Sequence, residues 1–278
     1  MAAMNAPSPA SRPAPHRPPP VGALLREWRE RRRLSQLDLS CDAGISTRHL
    51  SFLETGRAQP SRDMLLHLAE ELKVPLRARN AMLLAAGFAP AYPERSLDDP
   101  ALAGVRRSIE RVLEAHEPYP ALVVDRGWRM LAANRALAPL LAGVAPELLE
   151  PPVNVLRVSL HPNGLAPRIA NFGEWRAHVL ERLRSQVDAT ADGELKALAD
   201  ELAAYPAPPG VAPHVVEDYG GVAVPLKIRT ETMGLLSFFS TTTVFGTPLD
   251  ITLSELALET FLPADAHTAE ALRELAAG

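Results

Sequence analysis

The chain has 278 residues, enough for about two globular domains, and its 47% hydrophobic and 22% charged residues are close to the averages of soluble proteins. A single cysteine, Cys41, excludes an intrachain disulfide and a cysteine-cluster metal site, and it favours a reducing compartment. No apolar run reaches the roughly 18 residues of a membrane-spanning helix and no signal peptide is evident, so we expect a cytoplasmic, nucleoid-associated protein without a membrane partner.

The net charge of −4 is unevenly distributed along the chain. Residues 1–90 carry 13 basic and 8 acidic side chains, a net charge of +5, whereas the remaining residues carry 16 and 25, a net charge of −9. Such a change of sign favours a polyanion-binding module followed by a second domain with another partner, although chance also produces uneven charge.

The N-terminal third divides into a tail and a helical region. Residues 1–20 hold seven of the 27 prolines and few large apolar side chains, which is typical of a disordered tail. Residues 21–88 show short amphipathic segments with capping residues, which predict an all-α domain of five helices. These are expected over Gly22–Arg32, from the Ser35 cap to Ala43, from the Ser46 cap to Glu54, from the Ser61 cap to Leu72, and from Pro75 to the residue before Gly87.

Residues 89–99 mix prolines and charges without periodicity and are predicted to be a linker. From residue 100 to residue 278, helical periods alternate with β-branched and aromatic runs, which predicts an α+β domain with a mostly antiparallel sheet. Helices are expected over Leu102–Ala115, Asn134–Leu141, Phe172–Val187, Glu194–Ala204 and Asp265–Leu275, and strands in PALVVD (120–125), WRMLAA (128–133), Val222–Arg229, Gly234–Val244 and Ile251–Thr260.

The second and third predicted helices meet at a tight turn around Gly44, an arrangement that places the second helix of such a pair in the major groove of DNA. Apolar residues at the expected contact spacing would pack the two helices together: Leu39, Ala43, Ile45, Leu50 and Leu53. The candidate DNA contacts are Gln36 for a phosphate, Ser46, Thr47, Arg48 and Ser51 at the start of the recognition helix, and Arg57 and Arg62 for the backbone. A helical bundle with a solvated charged face explains any one of these residues alone, whereas their occurrence together favours DNA binding.

The second domain contains residues suited to a ligand cavity. The candidate walls are Trp128, Leu137, Leu156, Phe172, Trp175, Val179, Phe238 and Phe245, and the candidate head-group contacts are Asp125, Asn134, Arg157, His161, Asn163 and Asn171. The first set equally suits an ordinary core and the second set suits helix caps and turns, and the sequence does not separate these alternatives.

Motifs of catalysis and of metal binding are missing from the sequence. There is no GxSxG, HExxH, GxGxxG or GxxxxGK[ST], and the eight histidines do not form the paired spacing of a helical zinc site. We therefore expect no enzyme activity, no metal ion and no cofactor.

A family resemblance adds to these observations. The run from Leu24 to Gly87 resembles the Xre/Cro-type helix-turn-helix of bacterial regulators, and STRHLSFLETGRAQPSRDMLLHLAEELKVPLRARNAMLLAAGFAP is similar to the MmyB-like subgroup. The similarity continues through HPNGL, FGEWRAHVLERLR and STTTVFGTPLDITLSELALETFLPADAHTAEALREL. It implies a PAS-like ligand-binding domain over residues 100–278, with a long-chain fatty acid or similar apolar molecule as the ligand.

The predicted function is a transcriptional regulator that binds a double-stranded DNA operator as a homodimer and responds to a small apolar ligand. Dimerisation is expected because one recognition helix contacts only a few base pairs. Two alternatives stay open. In the first, the C-terminal domain is a dimerisation or protein-interaction platform of a constitutive regulator. In the second, it is an enzyme fused to the DNA-binding domain, which is less favoured because catalytic motifs are missing.

Overall fold

The computed structural model describes residues 19–209 and 223–277, which belong to two compact units. The first unit comprises residues 19–74 and 78–91, and the second comprises residues 75–77 together with the chain from residue 92 onward. Residues 1–18 of the predicted disordered tail, and the predicted start of a strand at Val222, lie outside the described residues.

The described part of the first unit is entirely helical, as predicted. Three of its helices begin at serine caps whose side-chain oxygens accept backbone N–H groups of the first turn: Ser35 from Asp38, Ser46 from His49 and Ser61 from Met64. Because these caps satisfy N–H groups that a helix leaves unpaired, they fix where the helices start. The helices are α1 Val21–Arg31, α2 Gln36–Asp42, α3 Thr47–Glu54, α4 Arg62–Glu71 and α5 Leu76–Ala85.

Helix α1 lies close against α3. Leu25, Leu50 and Leu53 are fully buried between the helices of this unit. A Cβ atom added at Gly22 would lie only 2.3 Å from the carbonyl oxygen of Leu53, so glycine is needed at this position for the two backbones to approach. The position of α3 therefore depends on α1 as well as on α2.

The second unit is built on a five-stranded antiparallel sheet with the strand order β2-β1-β5-β4-β3. This order, together with the helices that interrupt it, is the predicted α+β, PAS-like fold. The strands are β1 Ala121–Val124, β2 Met130–Ala133, β3 Leu226–Thr230, β4 Gly234–Val244 and β5 Ala257–Pro263. The helices are α6 Ala103–Ala115, α7 Val155–Leu160, α8 Phe172–Thr190, α9 Gly193–Ala204, α10 Ile251–Ser254 and α11 Ala266–Ala277.

Apolar side chains cover both faces of the sheet at β1. Ala121 and Val123 join a small cluster with Leu113 of α6, whereas Leu122 and Val124 join the main core. Successive strand residues point to opposite faces, so the continuous burial of all four residues follows from packing on both sides. The main core, which includes residues of α7, α8 and α9, surrounds the candidate ligand site.

Several elements differ from the sequence prediction. The strands predicted over residues 128–133 and 222–229 begin later, at Met130 and Leu226, because Trp128 lies in a turn and residues 223–225 form no strand pairing. The predicted strand Ile251–Thr260 is wrong at its start, because Asp250 caps the short helix α10 by accepting the N–H of Thr252, and β5 begins only at Ala257. The predicted helix Asn134–Leu141 is a 3₁₀ helix over Arg135–Leu141, in keeping with Pro139, which has no N–H to donate. Helix α7 was not predicted; it is only six residues long, and the side chain of Asn154 caps it.

Candidate functional site

The first candidate site is the surface formed by α2 and α3. The turn between these helices contains Gly44 with φ of +63°, in the left-handed region that glycine adopts without steric cost. Leu39, Leu50 and Leu53 are completely buried and hold the two helices together, as predicted. The arrangement leaves the N-terminal part of α3 accessible for the major groove.

The predicted contact residues of α3 differ in exposure. Ser46 and Arg48 are exposed, whereas Thr47 and Ser51 are half-buried, and the Thr47 hydroxyl lies 2.9 Å from the Ser40 hydroxyl. The Arg48 guanidinium lies 5.3 Å from the centre of the Phe52 ring. Arg48 is thus the exposed side chain on this helix with the donors to reach a base edge.

The predicted phosphate contacts lie at the ends of this surface. Arg57 and Arg62 are exposed, and the Arg57 guanidinium lies 5.9 Å from the Phe52 ring. The side chain of Gln36 instead donates from Nε2 to Oε2 of Glu54, at 2.8 Å. One N–H of the Gln36 amide is therefore engaged inside the protein, which leaves the other for the predicted phosphate contact.

A buried ion pair that the sequence analysis did not identify joins α1 to α3. Nε and Nη2 of Arg29 donate to the two carboxylate oxygens of Glu54, at 2.6 and 2.9 Å. The Glu54 side chain is 1% exposed and the Arg29 side chain 10%. The pair ties α1 to the last residue of α3, the predicted recognition helix, and so fixes the position of α3 within the unit.

The second candidate site is an apolar cavity of about 100 Å³ in the second unit. Five of the eight predicted wall residues line it: Trp128, Leu137, Leu156, Trp175 and Val179. The other three do not form the wall. Phe172 and Phe238 are fully buried in the core nearby, and Phe245 is 39% exposed.

Trp128 has an unusual backbone conformation. Its φ is +63°, which is rare for a bulky side chain. The Asp125 carboxylate stabilises this turn by accepting the N–H groups of Gly127 and Arg129, at 2.8 and 2.9 Å. The strained turn places the indole ring at the cavity, where its Nε1 donates to Gln186 at 2.8 Å.

Polar groups contribute to one part of the wall, and the sequence analysis did not identify them. Oε1 and Oε2 of Glu259 accept from Nη2 and Nη1 of Arg182, at 2.5 and 3.1 Å, and Oε1 also accepts the Thr242 hydroxyl at 2.8 Å. The Arg182 guanidinium lies 4.5 Å from the centre of the Trp128 ring. Burial lowers the pKa of His178 and the charge of Arg182 lowers it further, whereas Glu259 acts in the opposite direction, so the net effect favours the neutral imidazole. A signal was present, because Trp175, His178, Val179 and Arg182 share one face of α8.

The predicted head-group contacts do not line this cavity. Asp125 holds the turn at Trp128, the Nδ1 atom of His161 accepts the N–H of Asn163, and Arg157 forms an ion pair with Glu201. Asn134 and Asn171 bond to the backbone of neighbouring segments. The side chains of these residues therefore stabilise local turns and chain segments and do not contact the cavity.

Two family models match the chain. A model described as the MmyB-like transcription regulator ligand binding domain matches residues 105–275, and a model described as a helix-turn-helix domain matches residues 20–82. No curated protein matches significantly.

A solved structure described as an RNA-binding light-oxygen-voltage receptor is similar at 15% identity with a TM-score of 0.25. The match covers 94% of this chain and 64% of that chain. Among residues 19–209 and 223–277, no helix is long and apolar enough to cross a membrane. The same residues contain no group of three or more potential metal ligands.

Proposed function

The chain belongs to the MmyB-like transcription regulators, and on that premise we propose that occupancy of its apolar cavity by a small ligand controls the binding of its helix-turn-helix to an operator. The two matched domains make it a DNA-binding transcription regulator with a ligand-binding domain. The proposal requires no enzyme activity, metal ion or cofactor, and binding to an operator would place the protein on the nucleoid in the cytoplasm.

The apolar wall of the cavity is the observation that supports an aliphatic, fatty-acid-like ligand. An aliphatic chain gains about 0.8 kcal/mol per buried methylene, so a fatty-acid-like molecule would bind without strong polar contacts. The present volume of about 100 Å³ is below the roughly 300–1,000 Å³ of typical ligand pockets. A long chain therefore requires the wall to move, and the half-buried Met130 and Leu141 have the flexible side chains for this.

Titration calorimetry of delipidated protein with aliphatic compounds of graded length tests the ligand. We expect affinity to rise with each added methylene until the cavity is full. Val179→Trp fills the cavity and should abolish binding, whereas Val112→Trp, the same substitution at an exposed position of α6, should leave it unchanged. If no compound binds at any length, the alternative of a platform without a ligand is favoured instead.

We also propose that the regulator acts as a homodimer on an inverted repeat. One recognition helix reads only a few base pairs, so two are needed for the affinity of a specific operator. The net positive charge of residues 1–90 supports contact with DNA phosphates, but one chain supplies only a few such contacts.

A further inference from the structure

The polar residues that the structure describes in the cavity wall carry no net charge between them. Among the described residues that line the cavity, Arg182 is the only permanent cation and Glu259 the only carboxylate, and the two form an ion pair with each other. The Glu259 side chain is 5% exposed and the Arg182 side chain 28%. The positive charge is thus already compensated before any ligand enters.

The guanidinium of Arg182 is also engaged by its surroundings. Both of its terminal nitrogens donate to Glu259, and Nη2 also donates to the Thr242 hydroxyl at 2.5 Å. One face of the group lies over the Trp128 ring. A bidentate contact with a ligand carboxylate would need Nη2, whose two hydrogens are already engaged by Glu259 and Thr242. If the bond to Glu259 were the one to break, a buried carboxylate would be left without its cation.

A ligand carboxylate added beside the intact pair would place two negative charges around one positive charge. Two carboxylates that share one site disfavour ionisation of both, and the low polarity of the wall strengthens this repulsion. An uncharged hydroxyl, ester or amide does not incur this penalty. It also finds suitable partners, because the imidazole of His178 and the hydroxyls of Ser159 and Ser240 line the same cavity.

We propose that the cavity selects an aliphatic ligand with an uncharged polar head group over the corresponding carboxylate, and that Glu259 is the residue that determines this selectivity. This inference rests on the proposed function, since it requires an aliphatic chain in the cavity. It goes further by naming the head group, and it implies that a fatty acid binds more tightly in its protonated form than as the carboxylate.

Calorimetric titration of the delipidated full chain with 1-decanol, methyl decanoate and decanoate tests the inference at about pH 8, where the free acid is ionised. The three probes share one chain length and differ in the head group. We expect the alcohol or the ester to bind at least about tenfold more tightly than decanoate, the effect of one unfavourable charge contact. Equal or tighter binding of decanoate overturns the inference while leaving the proposed function intact. Failure of all three probes to bind contradicts the proposed aliphatic ligand itself.

Two single substitutions with opposite charge effects separate selectivity from simple structural damage. Glu259→Gln leaves Arg182 uncompensated and should raise the affinity for decanoate relative to 1-decanol by about tenfold. Arg182→Gln leaves Glu259 uncompensated and should lower the same ratio. The double variant restores neutrality, so its ratio should return towards that of the unmodified protein. If both single variants weaken all probes equally, Glu259 does not determine the selectivity.

Discussion

The buried ion pair between Arg29 and Glu54 makes a strong prediction about the recognition helix. The substitution Arg29→Met removes the cation but keeps most of the apolar stem. The Glu54 carboxylate, 1% exposed, then retains only its bond from Gln36. Removing one partner of a buried pair costs about 3–5 kcal/mol, because it leaves an uncompensated charge away from water. We expect the first unit to lose that amount of stability.

Hydrogen exchange followed by mass spectrometry measures this loss locally. The chain has two compact units and need not unfold in one step, so a single unfolding midpoint would mix their contributions. A loss of 3–5 kcal/mol corresponds to exchange of peptides from α3 that is faster by about 10²–10⁴-fold. Peptides from the sheet of the second unit serve as an internal reference and should keep their rates.

Two further variants control the interpretation. Arg26→Met removes the same side chain from an exposed pair with Glu30 on the same helix and should change exchange little, since such pairs contribute little in water. The double variant Arg29→Met/Glu54→Leu replaces the buried pair by apolar groups and should be more stable than Arg29→Met alone. If Arg29→Met exchanges no faster than Arg26→Met, or if the double variant is the least stable, the reasoning about the buried charge is refuted.

Three other predictions concern DNA binding and pH. Arg48→Ala should weaken binding to the operator by about 1–3 kcal/mol and relax the preference at one base position, whereas Arg57→Ala should weaken binding to all DNA sequences alike. Titrations against operator and scrambled duplexes check this. An unchanged operator preference of Arg48→Ala contradicts it. Footprinting should show two half-sites about one helical turn apart, and a single half-site occupied by a monomer in sedimentation would exclude the proposed dimer. Burial lowers the pKa of His116, whose Nε2 has no hydrogen-bond partner among the described residues, so the unfolded chain binds more protons than the folded one. The unfolding free energy of the second unit should therefore decrease as pH falls below about 6.5. His116→Phe should reduce this slope in urea titrations at a series of pH values, read from hydrogen exchange of peptides of the second unit, and an identical slope would disprove the assignment.

Local signals made part of this structure predictable. The caps at Ser35, Ser46 and Ser61 were identified because a cap and its N–H partner lie within one helical turn. The start of the predicted strand at Ile251 was wrong because β-branched residues there compete with the Asp250 cap, and the cap determines the local structure.

Long-range contacts were not predictable from one sequence. Arg29 and Glu54 are 25 positions apart, and Arg182 and Glu259 are 77 positions apart, so no local pattern connects them. The sequence could not distinguish a cavity wall from a packed core either. Trp128 lines the cavity and Phe238 does not, yet both are buried, and only the tertiary arrangement separates them.

The central claim is that ligand in the cavity changes operator binding, and fluorescence anisotropy of a labelled operator duplex tests it directly. The operator is first obtained by in vitro selection with the full chain, and the titration is done with and without a saturating aliphatic ligand. We expect the dissociation constant to change by at least about fivefold, the lower end of typical coupling between two sites. The cavity-filled variant Val179→Trp should not respond to the ligand. Superimposable titration curves for the unmodified protein, at a ligand concentration that calorimetry shows to be saturating, would contradict the claim, because a ligand with equal affinity for both states shifts nothing.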